Sequence, residues 1–210
     1  MCWSLKASIV SFTVGMLGCI LLLTKKKALD TAAALIGFWV LSMQGLEALM
    51  WYDHSCKLGI NQLASKVSLI QNLGQPIIIW LALLPFYSNT NKNIASILAF
   101  MYIVSLFLWL NNNKNEFKKQ DFFCTQSKEC KGLEWNWAKG SNFNFFWNIF
   151  VFVLLSMFFL VKNKFFAYII GGYVAISLFL SYLQYGYTKA VGSWWCLYAV
   201  ALPYLQYFFI

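Results

Sequence analysis

The sequence predicts an all-α integral membrane protein, one domain over residues 1–210 in which a bundle of seven helices crosses the bilayer. Three observations carry that expectation. Hydrophobic residues make up 60% of the chain and charged residues 11%, the mean hydropathy is +0.62, and the charges sit in short clusters between long apolar runs. A water-soluble domain carries about a quarter charged residues and has no core large enough to hide this much apolar surface.

Each run is judged against the roughly 20 apolar residues a helix needs to cross a hydrocarbon core of about 30 Å, where backbone groups must bond to one another. The runs cover 7–24, 31–52, 62–87 and 94–110; beyond a polar loop at about 111–144 come 145–161, 165–185 and 191–210. Only Lys162, Asn163 and Lys164 part the fifth run from the sixth. About forty apolar residues are twice the length of one crossing, so two spans are required there. The first run precedes its Lys cluster instead of following it, and no small-residue cleavage site comes next, so it reads as a retained helix and not a secretory signal. Its Ala7, Ser11, Gly15 and Cys19 recur every four residues, a small-residue face suited to close helix packing. An echo between 83–87 (LLPFY) and 201–205 (ALPYL) is short and apolar enough to be chance.

Orientation follows from Lys in the short loops. One side holds Lys25, Lys26, Lys27, Lys92, Lys162 and Lys164 against Asp30 alone; the other holds Lys6, Lys57, Lys189 and the 111–144 loop, whose Lys are offset by Glu116, Asp121, Glu129 and Glu134. The positive-inside rule makes the first side cytoplasmic, placing the N-terminus outside and the C-terminus in the cytoplasm. The net charge of +9 comes from Lys, with no Arg. These residues are scattered along membrane edges and form no basic stripe, which argues against nucleic acid as a partner. The lipid bilayer is the partner the composition names.

In this topology Cys2, Cys56, Cys124 and Cys130 lie at the outer, oxidising side, with Cys196 in the outer part of the last helix. Cys124 and Cys130 are near in sequence and are the first choice for a bridge; Cys2, Cys56 and Cys196 offer a second. Cys2, Cys56, Cys196 and His54 could instead gather a soft metal, but the chain has one His and no CxxC, and a bound metal ordinarily needs three or four convergent ligands. No metal and no cofactor are predicted. Asp53, His54, Cys56 and Cys196 form a candidate outer-face site, and Trp135 and Trp137 read as members of an interfacial aromatic belt.

The polar residues inside the spans are the stronger signal. Gln44 and Glu47, three residues apart, share one face of the second helix. A carboxylate at that depth must face the bundle, find a partner or stay protonated. The third helix offers Lys66, Ser68, Gln71, Asn72 and Gln75. Glu47 and Lys66 lie at comparable depths from the outer ends of antiparallel neighbours and are expected to pair, with Gln44 level with Gln71 and Asn72. Pro76 removes a backbone donor next to this cluster and is expected to open a polar pocket. Asn148, Ser181, Gln184, Gly192 and Ser193 are candidates to complete it.

The opening Met1-Cys2-Trp3-Ser4, Gln44-x-x-Glu47 with Cys56 and Asn61 after it, Gln75-Pro76, and Gly192-Ser193-x-Trp195-Cys196 together resemble a family of small multi-pass membrane proteins of bacteria and large DNA viruses that has no assigned function. The resemblance spans most of the chain, and the Lys, Asn and Phe bias points to the viral branch. It implies that these positions matter and supplies no reaction. Bacterial members carry a His in the third helix upstream of Gln-Pro, and this chain has none there. The leading expectation is binding or passage of a small solute, ion or proton through an outward-facing polar pocket. A structural or host-interacting protein of a host or viral membrane is the alternative, and an intramembrane lipid-modifying enzyme the third reading, disfavoured by the scarcity of acid-base groups.

Overall fold

The computed structural model describes residues 4–127, 133–185 and 191–210, and these form seven helices. Helices α1 (Leu5–Leu23), α2 (Ala28–Tyr52), α3 (Ile60–Leu83), α4 (Asn89–Asn112) and α5 (Phe143–Phe159) are uninterrupted. Helix α6 covers 164–185 and contains a π-helical turn at Ala167–Gly171. Helix α7 covers 191–209 and contains a 3-10 turn at Ala199–Ala201. Among the described residues, five stretches are long and apolar enough to cross a membrane: α1, α2, Ile60–Phe86, α4 and Lys164–Leu183. Helix α5 is shorter, at 17 residues.

Local chemistry sets the helix ends. The Ser88 hydroxyl accepts the Asn91 N–H at 3.1 Å and the Asn163 side chain accepts the Phe166 N–H at 3.1 Å, each satisfying an otherwise orphaned donor in a first turn. Pro203, with no N–H to give, follows the 3-10 turn of α7. Helix α3 continues through Pro76; beside the carbonyl that loses its donor there, the Tyr102 hydroxyl donates to the Leu73 carbonyl at 2.6 Å.

The connections sort to two ends of the bundle. At one, the Lys162 N–H donates to the Phe86 carbonyl at 3.0 Å, Tyr87 bridges to Val161 and the Lys25 ammonium donates to the Tyr207 carbonyl at 2.9 Å. This is termed the turn end. The other, the loop end, carries the segment between α4 and α5, built of 3-10 turns and a two-residue hairpin pairing Gln126–Ser127 with Leu133–Glu134. Its Trp135 and Trp137 are buried with rings stacked at 5.1 Å. They are therefore core residues of the loop and not an interfacial belt, because the loop folds back over them.

Helices α1, α2 and α7 meet at glycines. A Cβ on Gly37 would lie 2.6 Å from Cys19 Sγ, and one on Gly18 would lie 2.7 Å from the Tyr204 ring. Ser11, Gly15 and Cys19 are buried, so the small-residue face of α1 is a packing face, as expected of close helix contacts in lipid. Large apolar side chains such as Ile9, Leu17, Phe100, Phe107 and Phe152 point outward. That surface is suited to hydrocarbon, since soluble proteins rarely leave so continuous an apolar patch exposed.

One disulfide joins Cys56 to Cys124, with Cα atoms 5.9 Å apart. The expected Cys124–Cys130 bridge is thereby corrected: Cys124 is carried to the α2–α3 turn because its neighbour Thr125 is bonded to Asn61. Cys2 and Cys130 lie outside the described residues. Cys19 and Cys196 are buried free thiols.

Candidate functional site

Two ties fix how α2 lies against α3. At the loop end the Asn61 amide donates to the Met50 carbonyl at 2.9 Å. Deeper in, the Trp39 indole donates to the Gln71 carbonyl at 2.9 Å while the Gln71 amide donates to the Trp39 carbonyl. Interpolation between these ties puts Glu47 opposite Ala64 and Gln44 beside Ser65 and Ser68. Gln44 therefore sits more than a helical turn from the level of Gln71 and Asn72, closer to the loop end than the sequence reading placed it.

The expected pairing of Glu47 with Lys66 does not form. Ser65, Ser68, Asn72 and Gln75 recur at three and four residues and share the buried face of α3. Lys66 is on the opposite face with the exposed Leu63, Val67 and Ile70. Its ammonium lies over the Phe123 ring at 5.4 Å, in a surface basin of about 530 Å³ shared with Lys57, Lys118 and Lys119. Glu47, fully buried, instead accepts the Gln44 amide at 3.1 Å.

The other expected pocket residues, Gln44, Ser68, Gln71, Asn72 and Gln75, are all buried. They belong to a polar column that runs down the bundle. It starts at the loop end with Asn61, whose side chain exchanges two bonds with the Thr125 backbone. Ser65 meets the Thr125 hydroxyl at 2.7 Å, and Ser68 donates to the Ser65 carbonyl at 2.8 Å. Gln44 and Glu47 stand at this depth. Below them the Gln75 amide donates to Asn72 Oδ1 at 3.1 Å. Gln75, Cys196 and Ser177 then line one cavity of about 30 Å³, where the Trp195 indole donates to the Ser177 hydroxyl at 3.2 Å.

A second cavity of about 30 Å³ adjoins the first; the two share Ile36, Val40, Phe158, Ala199 and Leu202. The second is also lined by Gln206, whose amide donates to Asp30 Oδ1 at 2.6 Å. Asp30 is 1% exposed. Sequence reading counted it as a loop residue, but α2 begins at Ala28 and takes Asp30 into its first turn. An acidic residue at that place is itself a helix-start signal, favoured by the helix dipole.

Within the column several polar atoms find no partner among the described residues: Gln44 Oε1, Gln71 Oε1, Asn72 Nδ2, Asp30 Oδ2 and Gln206 Oε1. A buried polar group without a partner costs about 1–3 kcal/mol. Ser181 and Ser193 are buried, whereas Asn148 faces outward and is not part of the column. The Gln184 side chain and the surroundings of Gly192 lie outside what the structure describes.

At the loop end, Asp53, His54 and Cys56 serve as anchors. The Asp53 carboxylate accepts the Leu58 N–H at 3.1 Å and the Asn61 N–H at 3.2 Å, capping α3. Burial pushes its pKa up, but backbone N–H groups of Asn61, Leu58, Lys57 and Ile60 outweigh that and hold it below the ordinary aspartate value. His54 stacks on Trp51 at 5.4 Å and its Nε2 accepts the Ser127 N–H at 2.9 Å. Cys56 is spent in the disulfide, and Cys196 lines the bundle cavity instead of joining these three. Thr125, Ser177 and Gln206 were not singled out from sequence: Ser177 and Gln206 are single polar residues inside apolar runs, Thr125 is one of many polar residues of the long loop, and Asn61 was marked by the family resemblance alone. Compared with protein-family models, curated proteins and solved structures, the chain matches none of them.

Proposed function

We propose that this chain is a seven-span membrane protein with its loop end outside, and that its polar column binds or passes a small solute, ion or proton. The observation that carries this reading is the column itself: Gln44, Glu47, Asn72 and Gln75, fully or almost fully buried in a bundle with a hydrocarbon-facing exterior, with Gln44 Oε1 and Asn72 Nδ2 unpartnered among the described residues. Intramembrane polar and ionisable groups that face a bundle interior mark solute and ion pathways. Of the positions behind the family resemblance, Gln44, Glu47, Asn61, Gln75 and Cys196 fall on this column. The Cys56–Cys124 disulfide supports the loop end as the oxidising side, in agreement with the Lys asymmetry.

The test is a native mass spectrum of the protein released from mild detergent, for wild type and Glu47→Gln. A stoichiometric adduct on wild type that Glu47→Gln loses, at an unchanged unfolding temperature, supports the pocket. A variant that only unfolds earlier, with identical adducts, points to the second reading, a structural membrane protein in which these residues tie helices together. The reciprocal Trp39–Gln71 bonds are the observation in its favour.

A further inference from the structure

Outside the polar column, a basin of about 530 Å³ opens at the loop end between the α2–α3 turn and the segment that follows α4, a size usual for small-ligand sites. Lys57, Lys66, Lys118 and Lys119 line it together with Phe117 and Phe123. Among the described residues the one ion pair these lysines make is Lys119 with Glu116, at 2.7 Å, which leaves Lys57, Lys66 and Lys118 without an acidic partner there. The Asp53 carboxylate of the same turn is already engaged by the Leu58 and Asn61 N–H groups, and the residue is 2% exposed. The walls are tied in place. Cys56 is bridged to Cys124, the Cys56 carbonyl accepts the Gln62 amide at 2.8 Å, and the Phe117 ring packs on Phe122 and Phe123. Like charges gathered on a fixed frame repel one another, and an anion seated among them relieves that repulsion.

Depth and the neighbouring surface decide which anion. The stretch Ile60–Phe86 has 27 residues, roughly 40 Å of helix against a hydrocarbon core of about 30 Å, so about one turn at each end stands in the headgroup layer. Lys66 lies about 9 Å along α3 from Ile60, and its side chain reaches the loop segment, where the ammonium is 5.4 Å from the centre of the Phe123 ring. That is the snorkelling expected of a lysine at a membrane edge. Leu63, Val67 and Ile70 share its face of α3 and are exposed, carrying an apolar strip from the basin towards the middle of the bilayer. A molecule with a phosphate at one end and hydrocarbon at the other meets both surfaces at once, whereas a soluble phosphate meets only the first. We propose that the basin binds the phosphate headgroup of an anionic phospholipid in the leaflet at the loop end, with its acyl chains lying along Leu63, Val67 and Ile70. Three lysines without acidic partners favour a headgroup that carries more than one negative charge, as basic pockets beside membrane helices do. The site is separate from the polar column, since Lys66 faces away from it.

The test is native mass spectrometry of the whole chain in mild detergent, titrated with phosphatidic acid, with phosphatidylcholine of the same acyl chains, and with inorganic phosphate. Wild type is expected to take up one phosphatidic acid about tenfold or more tightly than phosphatidylcholine. The double variant Lys66→Gln with Lys118→Gln is expected to lower that affinity by about tenfold or more, at roughly fivefold per lysine, and to leave phosphatidylcholine unchanged. Lys114 is exposed at the same end and is not part of the basin, so Lys114→Gln is expected to bind like wild type. Equal uptake of the two lipids, or a loss in Lys114→Gln as large as in the double variant, overturns the proposal. Inorganic phosphate that binds wild type as tightly as phosphatidic acid does makes the basin a site for a soluble anion and overturns the lipid assignment. If the double variant does not fold, Leu58→Glu, at an exposed position of the basin wall, decides in the same way: it sets a negative charge against the headgroup and is expected to weaken phosphatidic acid alone.

Discussion

Asn61 and Thr125 hold one another at both ends of a side-chain amide: Asn61 Nδ2 donates to the Thr125 carbonyl at 2.8 Å, and the Thr125 N–H donates to Asn61 Oδ1 at 2.8 Å. All of these atoms belong to fully buried residues, and the same Nδ2 also donates to the Met50 carbonyl. The pair fastens the loop between α4 and α5 over the mouth of the polar column.

Asn61→Leu keeps the volume and removes every one of these bonds, leaving the Thr125 N–H and two carbonyls buried without partners. At about 1–3 kcal/mol for a buried unmet group, the cost should be roughly 3 kcal/mol. Thr125→Val removes only the hydroxyl contact to Ser65 and should cost about 1 kcal/mol. Thermal unfolding in detergent measures both; equal losses in the two variants would contradict the ranking.

Asp53 gives the loop end a pH dependence of definite sign. Its folded pKa lies below the ordinary value, so its capping contribution is fully present above about pH 4 and is lost as the pH falls through the depressed folded pKa. Unfolding temperature measured from neutral pH downward should therefore fall more steeply in wild type than in Asp53→Asn, which has no such proton to take up.

The disulfide yields a chemical prediction. Cys56 and Cys124 are 68 residues apart, and closing a loop of that length is worth roughly 4 kcal/mol in the chain-entropy model. Cys56→Ser should lower the unfolding temperature, and reductant should do the same to wild type while leaving Cys56→Ser unmoved. Maleimide labelling of denatured protein should reach Cys56 and Cys124 only after reduction.

The seven helical stretches, five of them long and apolar enough to cross a membrane, were legible because such helices leave long, unambiguous apolar runs. Six of the seven polar residues picked from α2 and α3, all but Lys66, are buried on one column, since polar side chains inside such runs have few places to go. Register was not legible. Depth counted from helix ends misplaced Gln44 by more than a turn, and Lys66, one residue from the buried Ser65, rotates by about 100° onto the outer face. Asp30 was missed because α2 starts earlier than its apolar run. Cysteine pairing was not legible either, since sequence proximity favoured Cys130 and a tertiary bond at Thr125 brought Cys124 to Cys56.

The contact between α1 and α2 supplies the last prediction. A Cβ on Gly37 would stand 2.6 Å from Cys19 Sγ, a distance real Cβ atoms do not adopt, so Gly37→Ala must displace one helix or the thiol. Cys19 is fully buried beside Leu22, Ala34 and Leu41, which leaves the thiol little room to turn away. Overpacking of this kind costs about 1–3 kcal/mol. Cys19→Ala alone opens a small void and should cost about 1 kcal/mol. In the double variant the new methyl occupies the space of the lost sulfur, so its cost should be smaller than the sum of the two by about 1 kcal/mol or more. A double-mutant cycle on unfolding temperature in detergent reads this directly. Simple additivity would mean that the helices do not approach at these two residues, and that the small-residue face of α1 packs elsewhere.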